Sequence, residues 1–413
     1  MKIINYLLLF LVLSSCAPKQ PTVFQWRGEE RKGIFHESNL LKEWPENGPK
    51  EIWTLEEIGD GYGTPTITSN EIFVTGAIDS TATLFCISLE GKINWQVSLG
   101  KEWVTNFPGS RSQPTVVDDL IYVGTGMGNL YCLKRANGEL VWKKDFVNDF
   151  AGIYPRFGHS EAPLVHSNKV FWTPGGKEAN VVAIDRFTGE IIWKNKGFGE
   201  RSGYNPGTLI SLPTRNIFVT FSAYHIMGFD TETGELLWSQ EQDNIPVEKR
   251  KPGAGDTHGN CIIFDNGYIY YAAGDGLGGV KLQLSEDGSE IKQVWRNAGF
   301  DSYMGGIVKI DSHIYGSGTS TKYLKSINAE TGELSDSLKL GWGAIIAADN
   351  MLYYYGQNGK LSLINYNQGK MNQVSQFKIQ KGTKEHFSHP IIDNGILYQR
   401  RGKALMAFDI KAN

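Results

Sequence analysis

A few histidines could ligate a metal ion, and one glycine-rich turn could approach a phosphate. The spacing of these residues matches no catalytic motif. His386 and His389 form a His-x-x-His pair that, with His159 or His258, would supply nitrogen ligands for a metal ion. Residues 275–279 are rich in glycine, but they lack the following helix that a phosphate-binding loop requires. The sequence also lacks Gly-x-Ser-x-Gly, P-loop and His-Glu-x-x-His motifs. We therefore expect neither a catalytic set nor a metal site.

Composition excludes some classes of function. The 413 residues carry a formal net charge of −3, so no basic excess favours nucleic-acid binding. Glycine (48), tryptophan (11) and tyrosine (18) are abundant, which is typical of many short strands joined by glycine turns. Cys86, Cys132 and Cys261 are odd in number, which argues against a disulfide framework and favours buried, unpaired thiols.

The N-terminus has the pattern of an export signal. Lys2 precedes an apolar stretch, residues 3–13, that is too short to span a bilayer comfortably. Cys16 ends a Leu-Ser-Ser-Cys sequence that resembles a bacterial lipobox, whose cysteine is lipidated; the alternative is an ordinary secretory signal with a chance cysteine. We expect residues 1–16 to be a lipoprotein signal peptide and residues 17–47 a tether and N-terminal segment. The lipid would then be the sole membrane attachment.

A hairpin pattern repeats along the rest of the chain. A strand-like stretch leads to a turn glycine and a second stretch follows it, as in NVVAIDRFTGEIIWKNK at residues 180–196. A period in the forties with four strands per unit is typical of the blades of a β-propeller. The turn glycines, at steps of 37 to 54 residues, are Gly91, Gly138, Gly189, Gly234, Gly288, Gly332 and Gly369.

The two ends of the repeat region supply one further unit. Residues 404–410 look like a third strand with no turn after it, whereas residues 51–54 look like a fourth strand with nothing before it. Joining these fragments removes the open sheet edges of the ring. The predicted fold is all-β: an eight-bladed β-propeller of four-stranded antiparallel blades, closed by an N-terminal strand and formed by residues 48–413.

A tryptophan follows the turn glycine by four residues in the first four units and by seven in the fifth. One four-stranded blade cannot bury both of its faces alone, and each indole can bury on the order of 150–250 Å² against a neighbouring blade. We therefore assign a structural, blade-docking role to the tryptophans of the outer strands, which are Trp53, Trp95, Trp142, Trp193, Trp238 and Trp295.

The unit Ala-x-Asp-x-x-Thr-Gly-x-x-x-Trp, which fits best from Ala183 to Trp193, resembles the PQQ-like repeat of quinoprotein-like propellers. The resemblance extends from about Trp26 to Ile410. Proteins with this repeat include PQQ-dependent alcohol dehydrogenases, the lipid-anchored eight-bladed subunit of the outer-membrane β-barrel assembly machinery, and exported propellers without an assigned activity. The motif is highly specific for the fold and weakly specific for function.

The resemblance implies more than one function. The dehydrogenases hold PQQ over a Ca²⁺ ion, typically beneath a disulfide between adjacent cysteines, and this sequence has no adjacent pair. We expect no cofactor and a non-enzymatic binding or scaffolding role at the cell envelope, with outer-membrane protein assembly as one form of it. The alternatives are an alcohol or sugar dehydrogenase that uses PQQ with Ca²⁺, and a carbohydrate-binding propeller.

We further expect a monomer that is lipid-anchored to the outer membrane and faces the periplasm or the cell surface. Its partner would be an envelope protein or a small-molecule ligand, without nucleic acid.

A candidate site follows from propeller geometry. The loops that enter the innermost strands meet around the central channel at one face, where a concave site with convergent polar groups is the default binding hypothesis. Arg111 suits a carboxylate-bearing ligand, and the aromatic residues suit stacking on a flat one. The alternative is that these residues only cap strand ends. The candidates are Tyr62, Arg111, His159, Glu161, Tyr204, Asn205, Asp256, His258, Tyr303, Trp342, His386 and His389.

Overall fold

Eight four-stranded antiparallel units form one closed ring. The computed structural model describes residues 22–242, 247–250, 256 and 258–412. In blades 1 to 7 the four strands follow one another in chain order from the innermost to the outermost. Two very short N-terminal strands add to the inner edges of blades 2 and 7. The predicted eight-bladed β-propeller is confirmed.

The strands are numbered in chain order, and three precede the first complete blade: β1 (Val23–Phe24), β2 (Ile34–Phe35) and β3 (Lys50–Leu55). Blade 1 contains β4 (Thr66–Ile67), β5 (Glu71–Ile78), β6 (Thr81–Ser88) and β7 (Ile93–Lys101), and blade 2 contains β8 (Thr115–Val117), β9 (Leu120–Gly124), β10 (Leu130–Lys134) and β11 (Leu140–Lys144). Blade 3 contains β12 (Leu164–His166), β13 (Lys169–Trp172), β14 (Val181–Asp185) and β15 (Ile191–Asn195). Blade 4 contains β16 (Thr208–Ser211), β17 (Asn216–Phe221), β18 (His225–Asp230) and β19 (Leu236–Glu241). Blade 5 contains β20 (Ile263–Asp265), β21 (Tyr268–Ala273), β22 (Gly278–Leu284) and β23 (Ile291–Asn297). Blade 6 contains β24 (Ile307–Ile310), β25 (His313–Gly318), β26 (Tyr323–Asn328) and β27 (Leu334–Leu338). Blade 7 contains β28 (Gly343–Ala348), β29 (Met351–Gly356), β30 (Lys360–Asn367) and β31 (Lys370–Lys378). Blade 8 contains β32 (Ile391–Asp393), β33 (Ile396–Arg401), β34 (Ala404–Asp409) and β3.

Helical structure is sparse. One short helix, α1 (Phe146–Phe150), lies in the connection between blades 2 and 3, and single 3-10 turns occur at Glu29–Arg31 and Val247–Lys249. In the part of the chain that the structure describes, no helix has the length and apolar character needed to cross a membrane.

An N-terminal strand completes the eighth blade. β3 pairs antiparallel with β34, from Lys50 opposite Asp409 to Leu55 opposite Leu405. β34 also pairs with β33, so strands from both ends of the repeat region share one sheet. The predicted closure of the ring is confirmed.

The repeated sequence forms the turn between the third and fourth strands because its polar side chains satisfy the turn backbone. In blade 4, the Asp230 carboxylate accepts hydrogen bonds from the N–H groups of Glu232 and Thr233 at 2.9 and 3.0 Å. The Thr233 hydroxyl accepts another from the N–H of Glu235. Gly234 has φ +72°, a conformation that side chains with a β-carbon rarely adopt. The Asp-x-x-Thr-Gly part of the repeat is therefore a turn signature.

Among the residues that the structure describes, the buried apolar side chains form eight clusters, and each cluster is built from neighbouring blades. One combines Val219 and Trp238 of blade 4 with Ile269 and Leu282 of blade 5. The same arrangement recurs at the other seven interfaces. The core is therefore a set of blade interfaces around the ring.

The repeated tryptophans lie on the turn glycines of the next blade. A β-carbon at Gly234 would lie 2.5 Å from the Trp193 ring, whose N–H donates to the Thr231 carbonyl at 3.0 Å. Trp238 has no such glycine, because Gly288 in the longer turn of blade 5 faces aliphatic side chains of blade 4. The other pairs of this kind are Trp53 on Gly91, Trp95 on Gly138, Trp142 on Gly189 and Trp295 on Gly332.

The N-terminal segment enters the central channel. β1 pairs antiparallel with β8 of blade 2, and β2 pairs parallel with β28 of blade 7. Between them, Arg27 donates to the carbonyls of Ile307 and Ile345, in blades 6 and 7, at 2.7 and 2.8 Å. Arg31 donates to carbonyls just before the innermost strands of blades 3 and 4, including Pro163 at 2.7 Å. Two side chains thus connect four blades across the axis.

Both arginines are buried in the interior with their guanidinium groups hydrogen-bonded. They are 2% and 1% exposed, and such burial is costly unless the guanidinium is hydrogen-bonded. Burial lowers the pKa of Arg31 to about 9, which is still above neutral pH. The ring of main-chain carbonyls therefore replaces water as the acceptor for these cations.

Replacing Gly234 by alanine should destabilise the ring more than the same change at Gly267. Both glycines have positive φ, +72° and +80°, but nothing lies within 4 Å of a β-carbon built at Gly267. The shared conformational strain costs roughly 1–2 kcal/mol, and overpacking against the Trp193 ring adds about 1–3 kcal/mol. Thermal unfolding of both variants measures the difference. Equal melting temperatures would show that the indole contact does not restrict this position.

Candidate functional site

The connections between blades enclose a cavity of about 460 Å³ at one face of the ring. Each connection runs from the outermost strand of one blade to the innermost strand of the next, so it brings side chains to the axis. Trp26 of the N-terminal segment also lines the cavity. The other aromatic, charged and sulfur-containing side chains of the lining are Tyr62, Phe107, Arg111, Arg156, Phe157, Tyr204, Asp275, Tyr303, Met304, Trp342, Phe387 and His389.

Five aromatic rings make a continuous series of contacts in this lining. Trp342 contacts Phe387 with ring centroids 5.8 Å apart, and Phe387 contacts Phe107 at 5.7 Å. Phe107 contacts Phe157 at 5.9 Å, and Phe157 contacts Tyr204 at 6.0 Å. We call these five residues the aromatic collar. Because each belongs to a different inter-blade connection, the collar exists only when the ring is closed.

Two arginines accompany the aromatic collar. Arg111 is half-buried, and its guanidinium donates to the carbonyls of Phe107 at 2.5 Å and Gly109 at 3.3 Å. Burial lowers the pKa of Arg111, and the nearby Glu102 carboxylate opposes that shift. Arg156 is exposed, and its guanidinium lies over the Phe157 ring, 5.3 Å from the centroid.

Two carboxylates beside the cavity accept hydrogen bonds from tyrosines. The Tyr62 hydroxyl donates to Glu385 at 2.8 Å, and the Tyr303 hydroxyl donates to Asp275. Burial and the adjacent negative charge raise the pKa of both tyrosines. Both phenols therefore remain protonated and act as donors.

Six of the twelve residues selected from the sequence line the cavity: Tyr62, Arg111, Tyr204, Tyr303, Trp342 and His389. His389 is buried, contacts the Arg27 guanidinium through Nδ1 at 3.0 Å and packs edge-on against Trp26. Burial beside this cation lowers the pKa of His389 well below its usual range, so the imidazole is neutral.

His159 and Glu161 are buried away from the cavity lining. The His159 ring stacks on Trp172 with centroids 4.4 Å apart, and burial lowers its pKa to about 4. The Glu161 carboxyl accepts the Thr173 N–H at 2.8 Å. Burial raises the pKa of Glu161 to about 8, although Arg31 and the Thr173 bonds oppose the shift. At neutral pH this pair is therefore largely uncharged.

Asp256 and His258 are also occupied by structural contacts. Asp256 forms a buried ion pair with Arg201, whose Nε lies 2.7 Å from Oδ2. The His258 ring stacks on Phe221 at 4.7 Å, and burial lowers its pKa to about 4. Neither side chain is part of the cavity lining.

Asn205 and His386 complete the set that does not reach the cavity. Asn205 accepts the Gly207 N–H at 2.6 Å, which shapes the start of blade 4. The His386 ring contacts the Tyr355 hydroxyl instead of joining His389. Within the described ranges, no group of three or more histidine, cysteine or acidic side chains is placed to hold a metal ion.

Phe107, Phe157 and Phe387, which form the middle of the aromatic collar, are not among the twelve residues selected from the sequence. Phe107 comes four residues before Arg111, and Phe387 lies inside the His-x-x-His stretch, so both occupied loops already selected. An aromatic residue in a connection is a usable signal. It could not be separated from a loop-packing residue without the fold.

The odd number of cysteines beyond Cys16 predicts buried, unpaired thiols, and the structure confirms this for the three that it describes. Cys86, Cys132 and Cys261 are free and buried. Burial raises the pKa of Cys86 and of Cys132 to about 12, so both thiols stay protonated. The expected lipidation residue, Cys16, lies outside the described residues.

The eight-bladed ring and its Asp-x-x-Thr-Gly turns define the chain as a PQQ-like β-propeller. It belongs to the family whose sequence model is described as outer membrane protein assembly factor BamB. That model matches residues 80–337, more than half of the chain.

Its curated relatives are distant and have different names. Outer membrane protein assembly factor BamB of Shewanella oneidensis is 21% identical over 317 residues, which are 72% of this chain and 70% of that protein. Quinoprotein ethanol dehydrogenase of Pseudomonas aeruginosa is 24% identical over 255 residues, which are 60% of this chain. The chain spans 32% of that dehydrogenase, 44% of a tetrathionate hydrolase and 24% of a quinoprotein alcohol dehydrogenase.

Solved structures show the same fold under both kinds of name. BamB from Moraxella catarrhalis has a TM-score of 0.61 at 15% identity, covering 88% of this chain and 100% of that one. A europium-containing methanol dehydrogenase has a TM-score of 0.65 at 13% identity, covering 92% and 90%. At such identities the likeness extends to the fold alone.

The buried Glu161 should make stability fall as pH rises. Its folded pKa of about 8 exceeds the ordinary value of 4.5, so the folded chain holds a proton that the unfolded chain has lost. This contribution is complete below pH 4.5 and disappears as pH rises through 8. Between pH 5.5 and 7.5, wild type should lose up to about 1.4 kcal/mol per pH unit relative to Glu161→Gln.

Urea unfolding curves of both proteins at several pH values measure this difference. Histidines other than His159, whose Nε2 lies 3.8 Å from Glu161 Oε2, keep their surroundings in both proteins, so their contributions cancel in the comparison. Parallel pH profiles would contradict a protonated Glu161.

Proposed function

We propose that the chain is a lipid-anchored propeller of the cell envelope that binds a protein partner and catalyses no reaction of its own. The contact surface would be the face of the ring that bears the aromatic collar. The observation that carries this proposal is a concave aromatic cavity flanked by three consecutive inter-blade connections that each expose large apolar side chains.

Large apolar side chains are exposed in three consecutive connections, those that follow blades 1, 2 and 3. Val104, Phe107, Val147, Ile153 and Phe198 are 36–50% exposed. Neighbouring loops with exposed apolar residues are typical of protein interaction sites, and aromatic residues are enriched there. The aromatic collar would then receive a side chain from the partner at the centre of the interface.

The state of the buried ionisable groups supports binding over catalysis. A general acid or base must reach its substrate. Glu161, His159, His258 and Asp256 are instead buried and bonded to main-chain groups or to an arginine.

Location and partner class rest on the family and on the N-terminal pattern. Membership of a family described as an outer membrane protein assembly factor supports an envelope location and a partner that belongs to the envelope. A lipid on Cys16 would hold the propeller, as a monomer, at the outer membrane. Assembly of outer-membrane proteins is the specific process that this relationship favours.

Photo-crosslinking at the collar face tests the proposal. A benzophenone amino acid at Val104 or Ile153 should capture an envelope protein in cells that make the chain naturally. The same probe at Leu140 or Leu334, which are 53% and 58% exposed on outer strands, should capture little or none of it. Equal yields at all four positions, or none at any of them, would refute this assignment of the contact face.

A quinone-dependent oxidoreductase is the second candidate, and the dehydrogenase relatives favour it. Arg111 could meet a carboxylate of PQQ. The donors expected for the accompanying Ca²⁺ are several oxygen ligands, and the described residues include no group of three acidic, histidine or cysteine side chains arranged for a metal. Main-chain and amide oxygens can also bind Ca²⁺, so we keep the oxidoreductase as the second candidate.

We expect PQQ with Ca²⁺ to leave the melting temperature unchanged. A ligand of the native state at 100 times its Kd adds about 2.7 kcal/mol of stability, which thermal unfolding detects readily. Each component alone serves as the control. A rise in melting temperature that requires both components would favour the oxidoreductase instead.

A further inference from the structure

The aromatic cavity contains a cation, Arg111, that has no ionic partner in the part of the chain that the structure describes. Among the described residues, Arg111 makes hydrogen bonds only to main-chain carbonyls, those of residues 106, 107 and 109. No described carboxylate forms an ion pair with its guanidinium. A half-buried guanidinium that is bonded only to neutral acceptors retains its attraction for an anion.

A buried carboxylate that influences Arg111 is bonded to other groups. Glu102 accepts hydrogen bonds from the Ser110 hydroxyl at 2.5 Å and from the N–H groups of Trp103 and Gly126, both at 2.7 Å. These bonds hold Glu102 on the loop that carries Arg111. Its charge is close enough to influence Arg111 but does not bond to it.

Aromatic, positively charged and apolar side chains surround Arg111, and they indicate which chemical groups would lie next to a bound anion. Its loop also carries Phe107, the central ring of the aromatic collar, and the exposed Arg156 adds a second positive charge over Phe157. Met304 supplies a flexible apolar side chain in the same lining. An anion at Arg111 would therefore lie directly beside aromatic surface.

We propose that the cavity binds a peptide carboxylate adjacent to an aromatic side chain, with the carboxylate on Arg111 and the aromatic ring within the collar. This inference rests on the proposed function and names the chemistry of the partner segment. A cavity of about 460 Å³ is within the usual range for a short peptide segment or small ligand. The carboxylate could belong to an acidic side chain or to a chain terminus.

Isothermal titration of the full-length protein with short peptides tests the proposal. The probes are N-acetyl-aspartyl-phenylalaninamide, its neutral asparaginyl analogue, its alanine analogue without the aromatic ring, and N-acetyl-glycyl-phenylalanine with a free terminus. The aspartyl-phenylalanine probe should bind at least tenfold more tightly than the asparaginyl and alanine analogues. Comparison with the free-terminus probe shows which source of carboxylate is preferred.

A matched pair of variants links the discrimination to Arg111. Arg111→Met should remove the preference for the aspartyl probe over the asparaginyl one. Arg135→Met, on the opposite face where Arg135 pairs with Glu71, should leave that preference intact. Arg111→Lys keeps the charge without the paired donors, and we expect it to retain part of the preference.

Each outcome decides the question. Wild-type protein that binds the charged and neutral peptides within threefold of each other, or binds none of them, overturns the proposal without reference to any variant. Crosslinking at Val104 and Ile153 that persists in that case leaves the proposed function standing and rejects only the peptide chemistry. Loss of crosslinking with retained peptide discrimination would instead reject the protein partner.

Discussion

Everything at the axis of this molecule depends on how one blade packs against the next. A single four-stranded sheet has two faces to bury, and here each apolar cluster is assembled from neighbouring blades. The indole of Trp193 covers the turn of the following blade so closely that only glycine fits at position 234. The repeat therefore encodes an interface, and the ring is closed by eight blade interfaces, five of which place a tryptophan on a turn glycine.

The centre of a closed ring needs hydrogen-bond donors for the innermost strands. Innermost strands have a free edge, and their carbonyls face the channel without a neighbouring strand. The N-terminal segment meets this need in two ways: β1 and β2 pair with innermost strands, and Arg27 and Arg31 donate to carbonyls of four blades. An arginine suits this position because its five donors are spread over a planar group. The cost of burying the charge is offset by bonds that water can no longer supply.

Much of this fold could be predicted from the sequence because its determinants are local and repeated. Turn glycines, the Asp-x-x-Thr-Gly signature and the tryptophan at a set spacing each act within one hairpin. The course of the N-terminal segment has no such local signal. Arg27 and Arg31 look like ordinary surface residues in the sequence, and the blade carbonyls to which they donate are more than a hundred residues away.

The candidate site shows the same limit at the level of side chains. Strand order placed the correct loops at the axis, but the direction of each side chain depends on neighbours from other blades. Glu161 and His159 are turned inward because Thr173 and Trp172 offer a hydrogen bond and a stacking surface. Phe107 remains beside the cavity because Phe157 and Phe387 contact it from two other connections. The orientation of the Phe107 side chain is therefore fixed only when residues from three inter-blade connections are in place.

The two faces of the ring are therefore under different constraints. The face with the glycine turns is built by the repeat, so a change there acts on a blade interface. The inter-blade connections can differ in length and composition while the strands stay unchanged. In this chain they differ enough to carry α1, the aromatic collar and an arginine that has no ionic partner among the described residues. This freedom explains how one propeller architecture carries relatives named as enzymes and as assembly factors, and why the collar face is where the function of this chain is to be sought.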